Sequence, residues 1–185
     1  MDIIDCMNEK RSVRTYKDEQ IPLEKIYELL ELGTKASTGS NQQPWGFVVI
    51  QDYNEIDTLS KEIKNYLLEN LENYPYLNQY ESWLKNDKYS IFNHAPSLII
   101  IYGSIESHWY VYDCTLAAGN IMLAAQNMGI GTCWIGFAEY YLNTTEFKSK
   151  YNVPANYELV APLSCGFMKT KMQPPKRKPP IIFNK

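Results

Sequence analysis

Apolar positions along the chain change period several times, and each change marks an element. Asp2 followed by Ile3, Cys6 and Met7 has the spacing of a short amphipathic helix, with acids in its first turn to complement the helix dipole. That helix stops near Arg11-Ser12-Val13-Arg14. Pro22 stands where a helix can start without losing a hydrogen bond. Leu23, Ile26, Tyr27 and Leu30 then repeat at i, i+3, i+4 and i+7, and Gly33 is the natural stop. A polar loop over 34–44 leads into Trp45-Gly46-Phe47-Val48-Val49-Ile50, which reads as a buried strand. A charged helical pattern follows from Asn54 to about Asn73.

Residues 74–94 break this regularity. They carry Tyr74, Tyr76, Tyr80, Trp83, Tyr89 and Phe92 with no clean period, which suits either a cover over a cavity or aromatic packing outside the core. After Pro96, Ser97-Leu98-Ile99-Ile100-Ile101-Tyr102 is a second buried strand. The helix predicted over 109–128 is apolar on nearly every side and ends at Gly129-Ile130-Gly131. A helix apolar all round must be covered all round, and in a domain this small a second copy of the chain is the simplest cover. Thr132-Cys133-Trp134-Ile135 is a third strand, 140–151 a helix and 157–167 a fourth strand. The tail, 169–185, is rich in proline and basic residues. With no linker or repeat, residues 1–185 read as one α+β domain: a central sheet flanked by helices.

Composition narrows the function classes. A formal net charge of −3 argues against a surface built to neutralise nucleic-acid phosphates. The most apolar run, 116–125, is interrupted by Asn120 and is well short of the ~20 residues of a membrane span. Met1-Asp2-Ile3-Ile4-Asp5 has neither a basic n-region nor a long apolar stretch, so no signal peptide is expected. Cys6, Cys114, Cys133 and Cys165 lie far apart with no C-x-x-C, which favours reduced thiols in a cytoplasmic protein over a metal centre. His94 and His108 have no plausible metal-ligand set beside them, and no hydrolase, metalloprotease or P-loop motif is present.

Four segments can carry chemistry. Arg11-Ser12-Val13-Arg14 places two guanidiniums and a hydroxyl within four residues, suited to phosphate oxygens, although surface arginine pairs are common. The stretch 36–45, A-S-T-G-S-N-Q-Q-P-W, offers the mixed donors and acceptors that polyol and heterocycle edges need; it is equally a turn bonding its own backbone. Gly129-Ile130-Gly131-Thr132-Cys133-Trp134-Ile135-Gly136 lacks the third glycine of a dinucleotide fingerprint. Gly136 can admit a flat ring close to backbone amides, and Gly129 also fits a helix C-cap. Lys176-Arg177-Lys178 is either a solvated tail or part of a phosphate site.

In this order and register, R-S-V-R after a short first helix, S-x-N-Q-Q-P-W before the first core strand, an apolar helix ending in G-I-G-T-C-W-I-G, and a basic motif in the proline-rich tail resemble the nitroreductase family over essentially the whole chain. The resemblance implies an intertwined homodimer of nitroreductase-like fold with FMN in the seam. Arg11, Ser12 and Arg177 then resemble the residues that hold the phosphate and ribityl chain, and Arg14 the cation at the N1–C2=O edge of the isoalloxazine. Ser40, Asn41 and Gln43 resemble the polar set supplied by the other subunit, with Ser37 and Thr38 beside them. Trp134, Ile135 and Gly136 resemble the segment whose backbone lies along the ring. Pro175 departs from the family's pattern, leaving Lys176 or Lys178 as the second basic contact.

The implied activity is ping-pong electron transfer from NAD(P)H to small electron-poor acceptors such as nitroaromatics and quinones, with Tyr74, Tyr76, Tyr80, Trp83 and Phe92 shaping the substrate pocket. The flavin carries the difficult chemistry, so no side chain is assigned as a proton-transfer catalyst. The alternatives are a reductive dehalogenase or flavin-consuming enzyme on the same fold, a non-catalytic flavin-binding redox protein, and a tail that recruits an acidic or nucleic-acid partner.

Overall fold

A computed structural model describes residues 2–173 and 175–183. In chain order the elements are α1 (Ile3–Glu9), α2 (Leu23–Gly33), β1 (Trp45–Ile50), α3 (Tyr53–Glu69), α4 (Glu81–Leu84), β2 (Ser97–Ser104), α5 (Tyr110–Asn127), β3 (Ile130–Trp134), α6 (Glu139–Leu142), α7 (Thr145–Lys150) and β4 (Tyr157–Phe167). The carboxylates of Asp2 and Asp52 cap α1 and α3, accepting the amides of Asp5 and Glu55 at 2.9 Å.

The strands form one sheet in the order β1-β2-β4-β3, and every pair is antiparallel. Strand β2 is central and buried on both faces, which is why its sequence is apolar without alternation. Its side chains nevertheless sort by parity. Leu98, Ile100 and Tyr102 enter one core beneath α3, α4, α6 and α7, whereas Ile99 and Ile101 enter a second core with α2 and α5. The fold is therefore the expected α+β arrangement of a sheet between two helical layers.

Three expectations change. The helix over 140–151 is two short ones: Asn143 turns its side chain to accept the Leu159 amide at 3.2 Å, and Thr144 starts afresh by capping Phe147 at 3.3 Å. Helix α3 stops at Glu69 because the Asn70 amide side chain reaches back to the Tyr66 carbonyl at 2.8 Å. Helix α5 is buried on only part of its circumference. It packs on α1, α2 and the sheet, while Trp109, Tyr112 and Leu116 form an exposed stripe in the single chain.

Between α1 and α2 the chain runs extended along the free edge of β3. Ser12 forms a parallel bridge with Thr132, and the Val13 amide donates to the Thr132 carbonyl at 3.0 Å. Val13 is fully buried, and a Cβ placed on Gly131 would lie 2.7 Å from three of its side-chain atoms. The glycine is there for close approach. Gly131→Ala is expected to destabilise the fold by about 1–3 kcal/mol through overpacking. A lowered urea midpoint would show this, and a midpoint like the wild type's would refute it.

All four cysteines are free and buried. Burial pushes the Cys114 and Cys165 thiols up from 9.0 to about 12, favouring the neutral form in the folded chain. Their stabilisation is complete below the ordinary thiol range and is lost as pH rises through the interval between those values. Each thiol contributes a slope of about 1.4 kcal/mol per pH unit. Urea midpoints measured from pH 9 to about pH 11 should fall steadily; a flat profile would contradict this.

Candidate functional site

The extended course of residues 10–14 decides which side chains can work together, because neighbours in a strand point to opposite faces. Lys10, Ser12 and Arg14 share one face. All three act on the Cys133 thiol, the Arg14 and Lys10 charges and the Ser12 hydroxyl each drawing its pKa down against burial. Arg11 and Val13 turn the other way and line a separate recess of about 360 Å³ against the C-terminal end of α5 and residues 168–172. The Arg11 side chain donates to the Lys10 carbonyl at 2.6 Å, and its Nε is buried without a partner.

Lys10 thus shares the face of Ser12 and Arg14, whereas Arg11, singled out in the sequence, lines the separate recess. A period-2 reading of K-R-S-V-R would have found this, since Lys10, Ser12 and Arg14 alternate. Burial, and then the charge of Arg177, hold the Lys10 ammonium below the usual lysine range. The tail thus carries the Arg177 charge within electrostatic reach of Lys10. It is tied down upstream by the Lys169 amide on the Thr15 carbonyl at 3.2 Å and by Lys171 on Glu9 at 3.0 Å. Lys176 is exposed. Among the described residues, none of Lys10, Arg14 and Arg177 pairs with a carboxylate.

Arg14 opens into a cleft of about 510 Å³. One side is the end of β3 and the turn after it: Cys133, Trp134, Ile135, Gly136 and Phe137. A Cβ on Gly136 would meet nothing within 4 Å, so the backbone there faces open space wide enough for a flat group. The opposite wall is aromatic. Tyr80 meets Phe137 edge-on at 5.1 Å and Trp83 at 5.6 Å, and Trp83 lies 5.9 Å from Tyr89. Tyr76 completes the wall, donating its hydroxyl to Tyr140 at 3.3 Å. Burial raises the Tyr76 and Tyr89 phenols, so both stay neutral.

Of the five residues expected to shape a substrate pocket, Tyr76, Tyr80 and Trp83 line this cleft. Tyr74 does not: its ring stacks on Tyr140 at 3.7 Å, behind the wall. Phe92 does not either, being 1% exposed within the core beneath α3. Tyr89, Ile91 and Asn93 line the cleft and were not singled out. Asn93 carries a left-handed backbone, φ 55°, followed by His94 at 52°.

Ser40, Asn41 and Gln43 stand apart from the cleft of their own chain, exposed at a loop tip. The loop is nonetheless built firmly. All three residues adopt positive φ, of 50°, 55° and 48°, which costs roughly 1 kcal/mol or more at the two that are not asparagine. Both carboxylate oxygens of buried Asp113 accept the Gly39 amide at 3.1 and 3.2 Å, Thr38 accepts the Gln43 amide at 3.3 Å, and the Gln43 side chain donates to Asn41 at 3.1 Å. Gly39 itself lies against the Trp109 ring, leaving no room for a Cβ. Among the described residues there is no cluster of three or more His, Cys, Asp or Glu able to hold a metal, and no helix is long and apolar enough to cross a membrane.

These features pair an aromatic-walled cleft with a cationic edge, and the chain as a whole is similar to known proteins. A Methanothermobacter thermautotrophicus protein, provisionally named an NADH dehydrogenase/NAD(P)H nitroreductase, is 29% identical over 140 residues; the match spans 74% of this chain and 61% of that one. The iodotyrosine deiodinase of Thermotoga neapolitana is 24% identical over 172 residues, 89% of this chain and 88% of its own. The fold of a Bacteroides fragilis nitroreductase with bound FMN superposes with a TM-score of 0.86 at 24% identity, covering 100% of this chain and 99% of that one. Residues 7–167 match the model of the nitroreductase family, and the chain belongs to that family.

Proposed function

We propose that the chain is an FMN-dependent oxidoreductase that works as a homodimer and passes electrons from a nicotinamide to small planar acceptors such as quinones or nitroaromatics. One observation carries the reading: Lys10, Ser12, Arg14 and Arg177 cluster beside a slot between an aromatic wall and the 133–137 backbone. Three cations without a carboxylate partner repel one another, and a phosphate relieves that repulsion. The open space above Gly136 accommodates a ring edge against backbone. The residues present therefore fit a phosphorylated flavin.

When bound, FMN supplies hydride acceptance and electron delivery, and the protein supplies placement and electrostatics. Lys10 and Arg177 would hold the phosphate, with the Ser12 hydroxyl a further donor. Arg14, inside the cleft, sets a fixed positive charge where negative charge develops on reduction. Among the described residues no histidine or carboxylate lines the cleft, and the Tyr76 and Tyr89 phenols are held neutral, so solvent is the proton source. The nicotinamide donor is suggested by the name of the Methanothermobacter relative. A deiodinase reading has the Thermotoga relative behind it. Among the described residues the cleft offers Arg14 as its one charged side chain and no carboxylate for an amino acid's ammonium, which favours uncharged planar substrates.

The dimer rests on exposed apolar surface. Helices α1, α2 and α5 pack together and leave Ile3, Ile4, Met7, Leu23, Tyr27, Trp109, Tyr112 and Leu116 uncovered, more than a lone soluble chain ordinarily shows in one region. Near the chain's end, Ile181, Ile182 and Phe183 are exposed as well. A partner covering these helices accounts for the firmly built Ser40–Asn41–Gln43 loop, whose polar groups serve the other subunit's flavin.

Arg14→Ala and Lys10→Ala should each weaken FMN retention about ten- to a hundredfold, the scale of one charge-assisted hydrogen bond. Arg14→Ala should in addition lower the flavin midpoint potential. Visible absorbance after gel filtration and a redox titration measure both. Unchanged retention in both variants, or wild-type protein that ignores added FMN, would end the proposal. Leu116→Glu should yield monomers in sedimentation experiments and lose flavin with them; a flavin-loaded monomer would remove the shared site.

A further inference from the structure

We propose that Lys64 is a positioning residue that sets the aromatic wall of the cleft from behind; the inference rests on that cleft being the substrate site. Lys64 lies on α3 and is 7% exposed, yet among the described residues it meets no carboxylate. Its ammonium donates instead to two backbone carbonyls, Asn86 at 2.7 Å and Tyr89 at 3.1 Å. One helical turn earlier, Ser60 accepts the Ile91 amide at 2.9 Å. Residues four apart on a helix share a face, so α3 presents two anchors to one descending strand of chain.

That chain is the one that makes the wall. Tyr89 and Ile91 line the cleft, Trp83 precedes the anchored turn and lies against Tyr89, and Asn93 follows it. The turn also closes on itself, the Tyr89 amide donating to Asn86 at 3.0 Å. Trp83 is 53% exposed and so has little packing of its own to hold it. A buried ammonium without a counter-charge is unfavourable, and leucine or methionine would fill the same space at lower cost. What a long cationic side chain supplies and an apolar one cannot is a pair of donors reaching two carbonyls three residues apart. The charge is spent on the backbone of the wall rather than on the ligand.

The test uses full-length protein as purified, with Lys64→Met and Lys64→Arg. Hydrogen exchange over residues 83–91 reads the anchor, and quenching of tryptophan fluorescence by menadione, a planar quinone, reads the wall; neither needs flavin. Lys64→Met should speed exchange in this segment about tenfold while core strands β2 and β4 keep their protection, and should weaken menadione binding about tenfold. In flavin-loaded enzyme it should raise KM for menadione and leave kcat nearly unchanged. Lys64→Arg, which retains donors, should restore most of both. Should Lys64→Met fail to fold, Ser60→Ala removes the second anchor and should loosen the same segment. Unchanged exchange at 83–91, or unchanged menadione affinity once exchange has risen, overturns the proposal. Protein that never takes up FMN overturns the functional reading alone, because the exchange and fluorescence arms still decide the role of Lys64.

Discussion

The site depends on a short piece of backbone lying flat along the edge of β3. The parallel bridge between Ser12 and Thr132 and the seating of Val13 on Gly131 hold residues 10–14 extended. Extension imposes alternation, and alternation gathers Lys10, Ser12 and Arg14 on the face that meets Cys133 while turning Arg11 away. Had the first helix continued for one more turn, the same five residues would be scattered around a cylinder. The cationic edge is thus a product of strand geometry, and a glycine without a side chain is what permits the approach.

Much of the fold was legible because burial leaves a direct trace in composition. Strand β2 has two cores to serve, so its apolar run is unbroken, and β1 and β4 were readable for related reasons. The break between α6 and α7 was not, since it depends on Asn143 bonding to Leu159, far from it in helical spacing but adjacent in space. In the site, Arg14, Trp134 and Gly136 were legible as a cation and a glycine-flanked turn. Lys10 was hidden by reading K-R-S-V-R as the frayed end of a helix. Phe92 and Tyr74 looked equivalent to Trp83 because an aperiodic segment gives no clue to which rings face inward; α3 decides that through contacts no local pattern records.

The two-layer core also separates duties. The helices on one face of the sheet, α3, α4, α6 and α7, enclose the core beneath the aromatic wall, whereas α1, α2 and α5 on the other present the apolar surface assigned to a second copy. Sequence can therefore vary in the aromatic wall without altering the apolar surface on the other side of the sheet. Conversely, the Asp113 carboxylate, at the start of α5, ties that apolar helix to the polar loop by fixing Gly39.

The burial of every thiol has a bearing on survival as well as on stability. Quinones are electrophiles that add to thiolates, and an enzyme that handles them exposes itself to self-inflicted arylation. Cys133 lines the cleft, but burial outweighs the neighbouring cations and raises its thiol pKa, so a quinone arriving there, as the proposed function has it, meets a poor nucleophile. The same desolvation that makes the fold lose stability at high pH keeps the thiols unreactive near neutral pH.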